Sequence, residues 1–206
     1  MRSPFLVLMS AAVAGAIVGI CGPLFISTGG QPGHVVHVVL SAGWSWAALA
    51  FCVGMSSRSK RLSAGAGVIS LVVAVLAYYL TKAGQGEFLS ADLSDPTGRT
   101  TYFSWGDFLS GTVLWCFFAC LLGPILGVSG NISINGPWRL PSRLLVPLVA
   151  IAETSMRLTD EASRQAPIVS TTWSVIRVVA VIAILVLVGH AGLDSWRRRT
   201  AKVHQG

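Results

Sequence analysis

Six apolar runs alternate with polar connectors along the chain. Each is close to the roughly 20 residues that a helix needs to cross a hydrocarbon core about 30 Å thick. They predict helices over about 5–26, 34–55, 63–82, 107–127, 141–158 and 169–193. The expected fold class is all-α, a polytopic transmembrane bundle of six helices forming a single integral membrane domain over 1–206. The fifth run is the least regular: it begins with Pro141, contains Pro147 and carries Glu153. Leaving it on the surface would place either Arg197–Arg199 or Arg58–Arg61 outside, so the charge pattern favours six crossings over five.

The basic residues orient the bundle. Arg2, the 2–3 connector (Arg58, Lys60, Arg61), the 4–5 connector (Arg139, Arg143) and the tail (Arg197, Arg198, Arg199, Lys202) fall on one side. The other side has only Lys82, Arg99, Arg157 and Arg164, among acidic residues such as Glu87, Asp92, Asp95, Asp160 and Glu161. The positive-inside rule then puts both termini in the cytoplasm, and Trp173 and Trp196 would mark the two interfaces of helix 6.

Composition agrees: 53% of residues are hydrophobic and 11% charged, against about 25% charged in soluble domains. The net charge of +7 is explained by membrane-flanking loops and anionic lipid rather than by nucleic acid. Cys21, Cys52, Cys116 and Cys120 lie inside apolar runs with no CxxC pair, so core packing is expected rather than a disulfide framework or a zinc site. The run from Phe5 to Ser27 is long for a signal peptide and reads as the first crossing. Small residues at intervals of four (Ala11, Gly15, Gly19; Ala119, Gly123, Gly127) predict close helix packing within the bundle. Pro124 should bend helix 4.

Once the helices are oriented, polar groups gather in the outer halves. They are His34, His37, Ser41, Trp44 and Ser45 on helix 2, and Tyr78, Tyr79, Thr81 and Lys82 on helix 3. Trp105, Asp107 and Ser110 open helix 4. Glu153 and Arg177 fall at comparable depth on helices 5 and 6. A charge at mid-bilayer costs at least about 2.5–3.5 kcal/mol on insertion scales, so an ion pair between Glu153 and Arg177 is the simplest expectation. Arg157, one turn from Glu153, competes for the carboxylate. Such a pair either clamps two helices or serves a polar ligand or a proton. Taken singly, each of the others has a structural role to hand: interfacial His34, belt aromatics at Tyr78, Tyr79 and Trp105, a helix cap at Asp107, a snorkelling Lys82. Taken together, His37, Ser41, Trp44, Tyr78, Tyr79, Trp105, Asp107, Glu153 and Arg177 predict an outward-facing polar and aromatic pocket.

No cofactor or metal is expected. Asp92 and Asp95 lack the further ligands of a calcium loop and sit beside Pro96 and Gly98, which read as a turn. There is no HExxH, P-loop, GxSxG or dinucleotide fingerprint.

The stretch Val38–Phe51, centred on Gly43-Trp44-Ser45-Trp46, with Ala77-Tyr78-Tyr79-Leu80, resembles a family of small, functionally uncharacterised multi-pass bacterial membrane proteins. The resemblance covers about the first half of the chain. It implies a multi-pass protein of a bacterial plasma membrane and transfers no catalytic residue.

Three functions fit. The first, preferred here, is binding or transport of a small solute. It is similar in plan to the substrate-binding subunits of energy-coupling-factor transporters, with Ala12–Ala16 offered to a partner membrane subunit. The second is a membrane enzyme acting on a lipidic or isoprenoid substrate, with Asp107 or Glu153 as proton donor and the aromatics stabilising a cation. The third is a structural or assembly subunit. The expected partners are the bilayer, a small-molecule or lipidic ligand and a partner membrane subunit.

Overall fold

A computed structural model describes residues 3–27, 30–91, 100–135, 138–160 and 167–203, without side-chain detail at 27, 160 and 194–203. Asp92, Asp95, Arg99 and Arg164 lie outside these residues, as do the side chains of Trp196 and the Arg197–Arg199 cluster. The described chain is all-helical apart from one small hairpin. Its helices are α1 (Pro4–Ser27), α2 (Gly30–Leu40), α3 (Gly43–Gly54), α4 (Lys60–Gly84), α5 (Trp105–Asn135), α6 (Arg139–Asp160) and α7 (Pro167–Val203). Strands β1 (Leu89–Ala91) and β2 (Thr101–Phe103) pair antiparallel inside the long connector, with Leu89 opposite Phe103.

Four helices, α1, α4, α5 and α7, are long and apolar enough to cross a membrane, or five spans if α2 and α3 count as one broken span bent by 61°. The continuous second helix expected over 34–55 is therefore corrected to a pair broken at Ser41–Ala42. The expected sixth crossing, α6, falls short in composition, because only Leu144–Ala152 is free of polar and charged residues. The helix nonetheless climbs through the bundle. Its Arg143 donates to the carbonyl of Ser133 near the end of α5, while Glu153 reaches Gly43 at the start of α3. The fourth helix continues through Pro124 to Asn135, beyond the expected end at Gly127. Its last turns are held by buried polar residues: Asn131 donates to the Ser57 carbonyl and Ser133 to that of Gly130.

The small-residue ridges bring backbones together. Gly15 and Gly19 of α1 lie against the Ser70 and Ala74 carbonyls of α4. Gly67 of α4 faces Gly123, and Gly54 of α3 faces Gly127, both on α5. Among apolar chains in lipid no hydrophobic force drives helices together, so close van der Waals approach carries the association. Within Ala12–Ala16, Gly15 thus faces inward to α4, while Val13 is exposed. Of the cysteines expected in the core, Cys116 packs against the cluster of Ala47, Leu71, Val75, Ala119 and Leu126, while Cys52 and Cys120 do not. All four are free thiols, with Cys52 and Cys120 exposed and Cys21 and Cys116 half-buried. Trp173, expected to mark an interface, is buried against Ala42 and Val169.

Candidate functional site

The α2–α3 break is the organising feature. Ala42 is extended there, with φ −74° and ψ 142°. The carbonyls that α2 leaves open at its end are taken by α3 side chains: Ser45 Oγ donates to Val39, and Trp46 Nε1 to Leu40 at 2.8 Å. His37 Nδ1 lies 2.7 Å from the Gly22 carbonyl of α1, which fixes the proton on that nitrogen. The amides that open α3 point at Glu153 of α6: Gly43 N donates to Oε1 at 3.0 Å and Trp44 N to Oε2 at 2.8 Å. A carboxylate suits the positive end of a helix and supplies two charge-assisted bonds. A side chain at Gly43 would meet Glu153 Oε2 at 3.2 Å, so glycine there admits the carboxylate.

Arg157 Nε completes the carboxylate's partners at 3.1 Å, and its guanidinium stands 4.9 Å from the centroid of the Trp173 ring. The expected Glu153–Arg177 ion pair is therefore corrected: Glu153 pairs with Arg157 one turn along its own helix. Arg177 is exposed on α7 and makes no ion pair among the described residues. The face of α7 that packs inward runs through Val169, Trp173 and Ala180, and position 177 lies off that stripe. Replacing Arg177 by leucine is expected to leave stability within about 0.5 kcal/mol or raise it. A loss of about 2 kcal/mol in a detergent unfolding titration would mean that the guanidinium has a partner.

Beside the break, α3, α4, α5 and α6 enclose a cavity of about 440 Å³. Ala47 of α3, Leu71 and Val75 of α4 and Ala119 of α5 form its floor, and Leu145 and Val149 of α6 form one wall. The opposite wall is Phe118, Leu122 and Ile125 of α5, which are 38%, 44% and 56% exposed. The exposed side of the cavity therefore belongs to α5, a helix apolar enough to span a membrane. One end differs: Ser41, Trp46, Tyr78, Tyr79, Trp115 and Lys82 gather there. Trp46 and Tyr78 meet edge to face at 6.0 Å, as do Tyr78 and Tyr79 at 5.7 Å. The contacts continue through Phe88 and Phe108 into the hairpin. Lys82 is bonded to Glu87 at 2.6 Å and lies 5.3 Å from the centre of the Tyr78 ring.

Of the residues expected to form one pocket, Ser41, Tyr78 and Tyr79 line this cavity. His37 and Glu153 hold the break behind it, and Trp44 packs with Trp173. Trp105 is exposed in the hairpin's aromatic cluster. Asp107 is exposed in the first turn of α5 and accepts from Ser104 Oγ at 2.5 Å. Those two and Arg177 are not part of the lining. The expected polar character is corrected as well: most of the lining is aliphatic or aromatic. Trp46, Ala47 and Trp115 also line the cavity although their residue types in an apolar run look like ordinary packing, and Ala119 of the small-residue ridge joins them. Among the described residues no three His, Cys, Asp or Glu side chains come together.

Residues 1–205 match the model of DUF6518, a family of unknown function. No curated protein and no solved structure matches the chain.

Proposed function

We propose that this chain, which belongs to the DUF6518 family, is a six-crossing membrane protein that holds a lipid-like amphiphile entering from the bilayer between α5 and α6. The observation that carries this reading is the 440 Å³ cavity, within the roughly 300–1,000 Å³ usual for small-molecule sites. Its lining is largely apolar and its exposed wall belongs to a spanning helix. A solute drawn from water would need more polar partners than this lining offers. A hydrocarbon tail arriving from the bilayer gains nothing from leaving water, but its van der Waals contacts with this lining replace those that an unfilled cavity forfeits.

Six crossings follow from taking α2 with α3 as one span and α6 as another, alongside α1, α4, α5 and α7. The chain then ends on the side where it began. The basic connectors put that side in the cytoplasm and the aromatic end of the cavity near the outer face. The broken second span resembles the discontinuous helices that transporters place beside their sites. Neither Asp107 nor Glu153 reaches the lining, so the reading is capture or transfer of the amphiphile rather than proton-driven conversion.

Native mass spectrometry of the protein released from mild detergent tests this. The wild type is expected to carry a bound lipid mass, and Val149→Trp, which fills the α6 wall, to lose it while keeping its helicity and unfolding midpoint. A wild type with no bound mass, or a folded Val149→Trp that keeps it, rejects the proposal.

A further inference from the structure

We infer that the amphiphile carries an anionic, oxygen-bearing head, a carboxylate or a phosphate, and that Lys82 selects it; this rests on the cavity reading above. The cavity has two chemically distinct ends. Its floor and side walls are hydrocarbon, while its hydrogen-bonding side chains are at the end where α4 finishes. Among the described residues of the lining, Lys82 is the one with a formal charge, and it is positive.

Among the described carboxylates, neither Glu153 nor Glu87 is part of the lining. Glu153 is turned to the amides of Gly43 and Trp44 and to Arg157, and stands behind Gly43. Glu87 meets Lys82 from outside the lining, with its side chain 42% exposed. An ammonium has three donors, and the bond to Glu87 uses one of them. The Tyr78 ring beside it holds the ammonium at the rim. The hydroxyls of Ser41, Tyr78 and Tyr79 belong to the same end and add neutral donors.

Other head groups fit less well. The aromatic residues alone would suit a quaternary ammonium, because ring faces attract cations. With Lys82 among them, a cationic head must compete with the ammonium for the Tyr78 ring and for Glu87. A neutral alcohol fills the same space but leaves the ammonium's remaining donors without an anionic acceptor. Bonds to charged groups are about twice as strong as neutral ones, so the anion is favoured over the alcohol of equal chain length.

The experiment is a competition on the full-length protein in lipid nanodiscs. Dodecanoate, dodecyl phosphate, dodecanol and dodecyltrimethylammonium are added in equal amounts and bound masses are read by native mass spectrometry. The two anions are expected to exceed the alcohol by about tenfold or more, and the ammonium to bind least. Lys82→Gln is expected to bring the anion-to-alcohol ratio within about twofold, and Lys82→Arg to restore it. Glu87→Gln frees a donor and is expected to raise the ratio. Whichever anion dominates identifies the head as carboxylate or phosphate. If the alcohol or the ammonium binds as well as the anions, or if Lys82→Gln keeps the preference, the head-group inference fails and the cavity reading stands. If none of the four binds, both fail.

Discussion

Gly127→Val is expected to be the most damaging single substitution in the protein, lowering its stability by about 3 kcal/mol or more. A side chain at Gly127 would fall on the backbone carbonyl of Ser63, and the Gly127 carbonyl itself already lies against Gly54. Three helices, α3, α4 and α5, thus meet at one residue with no room for a methyl group. The obstacle is backbone on both sides, so rotamer changes cannot relieve it. The helices would have to separate, and the close approach that holds them together in lipid would be lost. Gly65→Ala is the matching control. Nothing lies within 4 Å of a side chain there, so helix propensity alone should act and stabilise by up to about 1 kcal/mol. Unfolding midpoints in a graded denaturing detergent measure both. Equal midpoints for Gly127→Val and wild type would mean that α3, α4 and α5 do not touch in this way.

Glu153→Ala is expected to cost about 3 kcal/mol. It removes two charge-assisted bonds to the α3 amides and leaves Arg157 over Trp173 without its carboxylate. Glu153→Gln keeps one acceptor oxygen but turns an NH₂ toward the second amide, so about half the loss should remain. A double-mutant cycle separates the two arginines. Glu153 and Arg157 should couple by about 1 kcal/mol or more, and Glu153 and Arg177 by no more than about 0.3 kcal/mol. Coupling to Arg177 instead of Arg157 would overturn the account of the break.

The runs that became α1, α4, α5 and α7 were legible because a spanning helix needs little beyond length and apolarity. The small-residue spacing of Ala11, Gly15 and Gly19 was legible for the same local reason. The break at Ser41–Ala42 was not. Its decisive partner, Glu153, is 110 residues away from Gly43, and within 34–55 the apolar pattern simply continues. Arg157 and Arg177 could each have answered Glu153 by depth. Which one does depends on how α7 is rotated, and its apolar residues lie on every side and do not mark an inner face. The hairpin escaped because strands of three residues carry almost no period-two signal. The aromatic and cationic end of the cavity was partly visible in Ser41, Tyr78, Tyr79 and Lys82. The apolar remainder was hidden, since Leu71, Val75, Ala119 and Leu126 have the composition of any bundle interior. Polar groups at similar depth suggested a polar pocket, yet several of them, His37 and Glu153 first, are engaged in mending a broken helix.

A lipid-like chain is expected to occupy the cavity that α3, α4, α5 and α6 enclose. Photolabelling in membranes with a single-chain lipid bearing a diazirine near its tail end tests it most directly, with the labelled residues located by peptide sequencing. Saturable labelling is expected at floor and wall residues such as Leu71, Leu126 and Val149, lost in Val149→Trp at the first two. Labelling confined to outward faces such as Val13 and Ile17 of α1 or Leu185 of α7, with nothing saturable in the cavity, would contradict it.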